Sequence, residues 1–385
     1  MLKSALTRVG IPPRLQQELV GLSPVTLITL FALPAPALSW ALTMSNIAVD
    51  KIGPYDSRIT HEYVEVNGNR WHYVDAKPKG PQRGTIFLVH GYPDIWLAWR
   101  YQVPLLLSLG LRCIIPDCMG YGGSDAPLDV KNYTWKHHAD AFAGIAKHVG
   151  VNKIILGGHD WGGMVVYRFA QWYPELVTHV FSVATPFFSP NSSYVSIEDL
   201  IGGPLPNLGY QLQFGSSDGV IEKAFNTKPT LRKFVKAAYG GQVPSQANLF
   251  SPESGFNIKA ILNEDVSMSP LLSAEEVDYY VDHFSIHGLR GPCNWYRVNR
   301  ANHDEDSTIP EATRLTVPQP TLFIACQKDD VLLPEMSVGM EKYIPNLSRA
   351  TVPASHWALW HTPQETNAAI KAWFEGVVFG GKSKL

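Results

Sequence analysis

The most constraining part of the sequence runs from Lys153 to Gly163 and reads KIILGGHDWGG. Its apolar start and glycine-flanked end predict a buried strand that turns sharply into a helix and lifts one side chain above a sheet. Gly158 and Gly162 flank the turn, at points where a Cβ would clash with the tight backbone. The stretch therefore predicts a nucleophile elbow with Asp160 at its exposed point.

Asp160 stands where such an elbow usually carries a serine. A serine needs a base to remove its proton, whereas a carboxylate is already ionised at neutral pH. A carboxylate suits displacement at a saturated carbon, such as an epoxide or alkyl-halide carbon, and it leaves an ester that water must cleave. The residue type therefore predicts a nucleophilic step followed by a hydrolytic step.

The bulk composition excludes several classes of protein. The 385 residues are 45% hydrophobic and 17% charged, so the chain can bury a large core and is too apolar to be disordered. A net charge of −2 without a Lys/Arg run argues against nucleic-acid binding. Cys113 and Cys326 are predicted to be buried strand thiols, which fits a reducing compartment. His137 and His138 are interpreted as solvated side chains, and no metal or organic cofactor is predicted.

Apolar runs alternate with helical patterns along most of the chain, which predicts an α/β fold with a mostly parallel, doubly wound sheet. Residues 61–76 alternate and turn at Asn67-Gly68, as in a β-hairpin. Further strands are predicted at 85–89, 112–116, 153–157, 179–184, 320–325 and 347–352, and helices near 134–149, 162–173 and 364–378.

The pattern changes between 187 and 310, where Pro, Gly, Ser and Tyr are frequent. Helical patches near 219–239 and 274–287 predict an inserted helical cap, which would cover the carboxyl ends of the strands and exclude water. The predicted core is then 51–186 together with 311–380. Residues 1–50 form an N-terminal extension, and residues 381–385 a short tail.

The two ends predict different addresses. Ser383-Lys384-Leu385 matches the signal read by the peroxisomal import receptor, which favours the peroxisome. Residues 19–49 contain no charged side chain, so this segment could instead serve as a signal or membrane anchor. A third reading takes Met44 as the real initiator and the first 43 residues as an extension, and the cytosol is an alternative location. The sequence leaves all three readings open.

Three further stretches supply the groups that a nucleophile–ester mechanism needs. His90-Gly91-Tyr92-Pro93 follows a predicted strand, so the peptide N–H groups of Tyr92 and Trp161 could form an oxyanion hole. Nucleophile, acid and histidine follow one another along the chain in such folds. That order makes His356 the base and Asp329 the carboxylate that orients it, with Asp330 as a competitor for the acid role.

With these motifs, the chain resembles the soluble epoxide hydrolases of the α/β-hydrolase superfamily over roughly residues 60–380. The matching stretches are His90-Gly91-Tyr92-Pro93, Gly158-His159-Asp160-Trp161-Gly162-Gly163, Lys328-Asp329, His356-Trp357, Tyr210-Gln211-Leu212-Gln213-Phe214 and Arg290-Gly291-Pro292-Cys293-Asn294-Trp295-Tyr296-Arg297. The resemblance implies that Tyr210 and Tyr296 donate hydrogen bonds to the epoxide oxygen of a small-molecule substrate. The chain departs from the family in two places: at Tyr92, where Phe or Trp is common, and in its N-terminal extension.

Two other functions remain open at this point. A haloalkane or haloacid dehalogenase of the same fold would share the Asp-His-Asp machinery, but it would stabilise a halide instead of an alkoxide. The two cap tyrosines favour the epoxide. A hydrolase fold that only binds a ligand would usually lack a member of the triad, and none is missing here.

Overall fold

The computed structural model describes residues 49–380. Most of the predicted N-terminal extension, including residues 19–48, lies outside this part, and so does Ser383-Lys384-Leu385. Between residues 49 and 380, no helix combines the length and the apolar character needed to cross a membrane.

An eight-stranded sheet forms the centre of the fold, and it confirms the predicted α/β class. Its strands lie in the order β1-β2-β4-β3-β5-β6-β9-β10. The pairs β1–β2 and β2–β4 are antiparallel, and the remaining neighbours are parallel. The strands are β1 (Ile59–Val66), β2 (Asn69–Ala76), β3 (Gly84–Val89), β4 (Leu111–Pro116), β5 (Ile154–His159), β6 (Val177–Val183), β9 (Thr321–Cys326) and β10 (Leu347–Val352); β7 (Phe250–Ser251) and β8 (Gly255–Phe256) pair separately.

The predicted hairpin and the predicted strands are confirmed, but β10 is not buried as predicted, because it lies at the edge of the sheet. Asn67 and Gly68 both take positive φ, 53° and 77°, as a tight turn between twisted antiparallel strands requires. Every residue of β5 is buried, which explains its unbroken apolar and glycine run. Cys113 and Cys326 are buried free thiols on β4 and β9.

Helices cover the sheet close to the predicted positions. These helices are α1 (Gln102–Ser108), α2 (Trp135–His148), α3 (Trp161–Trp172), α12 (Ala358–His361) and α13 (Pro363–Trp373). The periodicity of the sequence predicts α2, α3 and α13, but not the shorter α1 and α12. The helix α3 packs against β5 and β6. It begins at Trp161, directly after Asp160 at the elbow.

The segment between β6 and β9, here called the cap segment, is mostly helical. Its helices are α4 (Ile197–Ile201), α5 (Tyr210–Phe214), α6 (Val220–Ala224), α7 (Lys228–Ala238), α8 (Ile258–Asn263), α9 (Ala274–His287), α10 (Arg290–Asn294) and α11 (Asn299–Asp306). The helix α9 has the predicted bounds and begins with a capping box between Ser273 and Glu276. The predicted helical patch near 219–239 contains two helices, α6 and α7, because Thr227 and Thr230 form a capping box that starts the second one.

The interpretation of His138 as a solvated side chain is wrong. Its Nδ1 donates to the Thr134 carbonyl at 2.8 Å, and its Nε2 accepts the Met119 peptide N–H at 3.1 Å. Burial lowers the pKa of this imidazole to about 3, so it stays neutral. His137 is half-buried. Among residues 49–380, no cluster of three or more His, Cys, Asp or Glu side chains could hold a metal ion.

Candidate active site

The elbow holds Asp160 between β5 and α3 with φ 53° and ψ −127°, outside the usual regions for a non-glycine residue. Such a backbone needs close neighbours to hold it. A Cβ on Gly162 would overlap the Val89 carbonyl oxygen, and a Cβ on Gly158 would overlap that of Gly162. Both glycines are therefore required, and the Asp160 carboxylate emerges at the carboxyl ends of the parallel strands.

Two peptide N–H groups face the Asp160 carboxylate. Tyr92 donates to Oδ1 at 2.7 Å, and the peptide N–H of Trp161, the next residue in the chain, contributes to lowering the pKa of this carboxylate. A Cβ on Gly91 would overlap Oδ1, so this approach requires glycine. The structure therefore places both predicted oxyanion-hole residues, Tyr92 and Trp161, next to the Asp160 carboxylate.

His356 lies between two carboxylates. Its Nδ1 is 2.8 Å from Asp329 Oδ2, and its Nε2 is 3.5 Å from Asp160 Oδ2. Asp329 is buried, and its Oδ1 accepts the peptide N–H groups of Val331 and Leu332, each at 2.9 Å. The competing Asp330 is exposed. The nucleophile, the histidine and Asp329 thus form one connected row at the ends of β5, β10 and β9.

The charges of this row support one another. Burial lowers the pKa of His356, but the Asp329 and Asp160 carboxylates outweigh it and raise that pKa to about 10. Burial raises the pKa of Asp160 and of Asp329, and His356 outweighs it in both cases, so both pKa values are lowered. The resting row is an imidazolium between two carboxylates.

Tyr210 and Tyr296 reach the site from separate parts of the cap segment. Tyr210 opens α5 and Tyr296 follows α10, yet their ring centroids are 5.9 Å apart. The ring of Tyr296 also packs against Trp161 at 5.4 Å and against Tyr92 at 5.1 Å. Burial, together with the nearby Asp160 charge, raises the pKa of both phenols, so both are protonated donors.

Two cavities meet at the nucleophile, and within residues 49–380 only Asp160 and Tyr210 line both of them. The first, of about 250 Å³, has a largely apolar wall, and its aliphatic part includes Met164, Ile197, Leu200, Leu205, Leu208, Leu332 and Met336. The second, of about 300 Å³, contains His356 and Tyr296, and the aromatic part of its wall includes Phe214, Phe250, Phe256 and Trp357. A reacting molecule at Asp160 therefore faces a largely apolar space on one side and the base on the other.

Two residues of the site were missed by sequence reasoning. His159 donates from Nε2 to the His356 carbonyl at 2.8 Å, and Thr185 Oγ1 donates to the Asp160 carbonyl at 2.6 Å. His159 stands beside the nucleophile in the elbow motif, a signal that could have singled it out. Thr185 follows β6 without any motif, so only the fold reveals it.

Comparisons with known proteins agree with this geometry. The model of the α/β hydrolase fold family matches residues 84–208. Epoxide hydrolase srdG of Neurospora crassa is 38% identical over 336 residues, which cover 83% of this chain and 97% of that protein. Bifunctional epoxide hydrolase 2 of Mus musculus is 32% identical over 82% of this chain, but the match spans only 56% of the mouse protein. The crystal structure of Epoxide Hydrolase A from Mycobacterium thermoresistibile superposes with a TM-score of 0.70 at 28% identity and covers 83% of this chain and 98% of its own.

Proposed function

The chain belongs to the epoxide hydrolases of the α/β-hydrolase superfamily, and we propose that it converts small-molecule epoxides and water into vicinal diols through an ester on Asp160. The observation that carries this mechanism is the position of His356. Its Nε2 faces Asp160 Oδ2 at 3.5 Å while its Nδ1 is fixed on Asp329 at 2.8 Å. A base so placed can serve the hydrolysis of an ester formed on that carboxylate.

In the first step, an Asp160 oxygen attacks an epoxide carbon and the carbon–oxygen bond of the ring breaks. The ring oxygen takes a proton from Tyr210 or Tyr296. Both phenols stay neutral in the resting site because burial raises their pKa. They give up a proton only to a strongly basic alkoxide, which is the form of the substrate that needs stabilising.

In the second step, water attacks the ester carbonyl and His356 takes its proton. The peptide N–H groups of Tyr92, which already donates to this carboxylate, and of Trp161 stabilise the oxyanion. Collapse of the tetrahedral intermediate breaks the ester carbon–oxygen bond, and the leaving alkoxide takes the proton of the intermediate's hydroxyl group. The diol is released and the Asp160 carboxylate is restored.

The protons of this cycle balance. The ester has lost the Asp160 charge, one of the two anions that hold the imidazolium, so the pKa of His356 falls after the first step. Its proton can then return to the tyrosinate, which leaves His356 neutral at the stage where a base is needed. The proton taken from water in the second step restores the imidazolium.

One turnover in heavy-oxygen water tests the proposal. In the two-step route the label enters the Asp160 carboxylate, and the first diol carries unlabelled oxygen. Excess enzyme is mixed with styrene oxide, and the diol and the peptide that contains Asp160 are analysed by mass spectrometry. A labelled first diol with an unlabelled peptide would mean that water attacks the epoxide directly.

The proposed address is the peroxisome. Ser383-Lys384-Leu385 is the feature that supports it, through the import receptor. The uncharged segment 19–49 supports the competing proposal of membrane association. Fluorescent fusions at the N-terminus, with and without the last three residues, separate the two, because only import through the receptor depends on those residues.

A further inference from the structure

A backbone contact joins the cap segment to the core at α10, the helix that precedes Trp295 and Tyr296. Gly291 of α10 lies against Gly120, which follows β4 in a loop and takes φ +91°. A Cβ on Gly291 would lie 2.5 Å from the Gly120 Cα and 2.9 Å from its carbonyl oxygen. Real Cβ atoms do not tolerate such distances from a backbone. The two segments therefore approach each other so closely that only glycine fits at either position.

A hydrogen bond reinforces this contact on the side of Tyr296. The Trp295 indole Nε1 donates to the Met119 carbonyl at 3.1 Å, and Trp295 is buried. Met119 is itself held, because its peptide N–H donates to His138 at 3.1 Å. His138 stays neutral because burial lowers its pKa to about 3, so this support does not titrate at ordinary pH. The residue next to Tyr296 is thus tied to the core by a chain of buried bonds.

The ring of Tyr296 packs against both residues of the proposed oxyanion hole. It contacts Tyr92 and Trp161 edge-to-face, with ring centroids 5.1 Å and 5.4 Å away. A shift of α10 away from Gly120 would move the phenol relative to that hole. The distance from Tyr296 to Asp160 therefore depends on how closely α10 approaches the core.

Tyr210 is held by other means. Its peptide N–H donates to the Pro252 carbonyl at 2.8 Å, and the preceding Gly209 lies against Glu253. Both partners belong to the cap segment, next to the β7–β8 pair. The backbones that carry the two phenols consequently rest on different supports, although both rings pack against Phe214.

We propose that the Gly120–Gly291 contact is the device that positions Tyr296 over Asp160, with both glycines as positioning residues. This inference rests on the proposed function, because it concerns the protonation of the epoxide oxygen. Since Tyr296 serves the opening of the epoxide and not the cleavage of the ester, the contact matters for the first step alone.

The test is a double-mutant comparison of single-turnover alkylation with styrene oxide, measured by quenched-flow mass spectrometry. Gly291→Ala should slow alkylation by about 10–100-fold, as expected for the loss of one donor. Adding Gly291→Ala to Tyr296→Phe should change the rate little, because the donor it misplaces is already gone. Adding it to Tyr210→Phe should lose far more, since neither phenol then reaches the alkoxide. Decay of the alkyl-enzyme should match wild type in the Gly291→Ala protein.

Multiplicative effects of Gly291→Ala and Tyr296→Phe would overturn the inference, and so would alkylation by Gly291→Ala at the wild-type rate. Gly376→Ala is the matched control, because a Cβ there meets nothing within 4 Å. If Gly291→Ala does not fold, Trp295→Phe removes the bond to Met119 together with part of the packing on His138, and it should show the same dependence on Tyr296, with a smaller effect. A wild-type protein that forms no alkyl-enzyme would refute the proposed function itself, which separates the two failures.

Discussion

The imidazole of His159 donates from Nε2 to the backbone carbonyl of His356, at 2.8 Å. The neighbour of the nucleophile therefore holds the backbone of the base. Burial and the charge of His356 lower the pKa of His159 to about 4, so this imidazole is a neutral donor at ordinary pH. The bond fixes the distance between the elbow and the loop after β10.

We expect His159→Phe to slow ester hydrolysis while alkylation of Asp160 changes little. The change keeps an aromatic ring but removes the donor, and a neutral hydrogen bond is worth about 0.5–1.5 kcal/mol, which corresponds to roughly threefold to tenfold in rate. The elbow itself is set by its glycines and should persist. Pre-steady-state kinetics give both rates, and an equal loss in both would assign His159 to the elbow instead.

Replacement of His356 by Gln should trap the ester. Asp160 needs no base to attack, so alkylation proceeds, whereas water can no longer be deprotonated at the ester. Mass spectrometry after incubation with styrene oxide should show the protein heavier by one substrate mass. Steady turnover by an unmodified His356→Gln protein would remove His356 from the proposed role.

Asp329 and Asp330 offer a matched pair of variants. Asp329→Asn removes the carboxylate bonded to His356 Nδ1, and we expect turnover to fall by about a thousandfold or more, since the amide favours the wrong tautomer. Asp330→Asn should stay within about twofold of wild type, because the Asp330 side chain is exposed and His356 Nδ1 is bonded to Asp329 instead. Steady-state kcat of the two purified proteins is the measurement, with circular dichroism as the control of folding. Similar losses in both would mean that the neighbouring charge, and not the bond, matters.

The stability of the protein should depend on His356 at alkaline pH. Its pKa is raised from the ordinary value of 6.5 to about 10 in the folded protein. The stabilisation is therefore complete below pH 6.5 and is lost as the pH rises towards 10. Urea unfolding should show the free energy of unfolding of wild type falling more steeply over this window than that of His356→Gln. Parallel curves would mean that His356 is not an imidazolium in the resting protein.

The two phenols should be partly redundant. Tyr210→Phe and Tyr296→Phe should each slow alkylation by about 10–100-fold, and the double variant should lose far more, because no acid remains for the ring oxygen. Phe preserves ring packing, so all three proteins should fold. Single-turnover alkylation gives the rates. A folded double variant with a near wild-type rate would sink the tyrosine assignment, and chlorinated and brominated alkanes would then be tested as substrates.

Sequence reasoning predicted the sheet well because its strands are short apolar runs that need no distant contact to be recognised. It failed at His138, whose bond to Met119 depends on a loop folding back onto α2. The division of the 219–239 patch into α6 and α7, at the capping box of Thr227, was also not predicted. Local patterns do not report which polar side chains become buried.

Some residues of the candidate site could be predicted from the sequence, and others could not. The residues at strand ends follow from topology, because parallel strands bring their carboxyl ends to one edge. The choice between Asp329 and Asp330 depends on which of two adjacent side chains points inward, and the structure directs Asp329 to His356. The Gly120–Gly291 contact joins segments far apart in sequence, and no local sequence pattern at either glycine predicts it.

The backbone of Asp160 sets stability against reactivity at a single residue. A side chain at φ 53° and ψ −127° costs on the order of 1–3 kcal/mol. Glycine adopts such angles freely, so it would relieve this strain. It would also remove a carboxylate that holds the His356 imidazolium and accepts the Tyr92 peptide N–H. The strained backbone at the elbow is therefore retained together with the charge that the reaction needs.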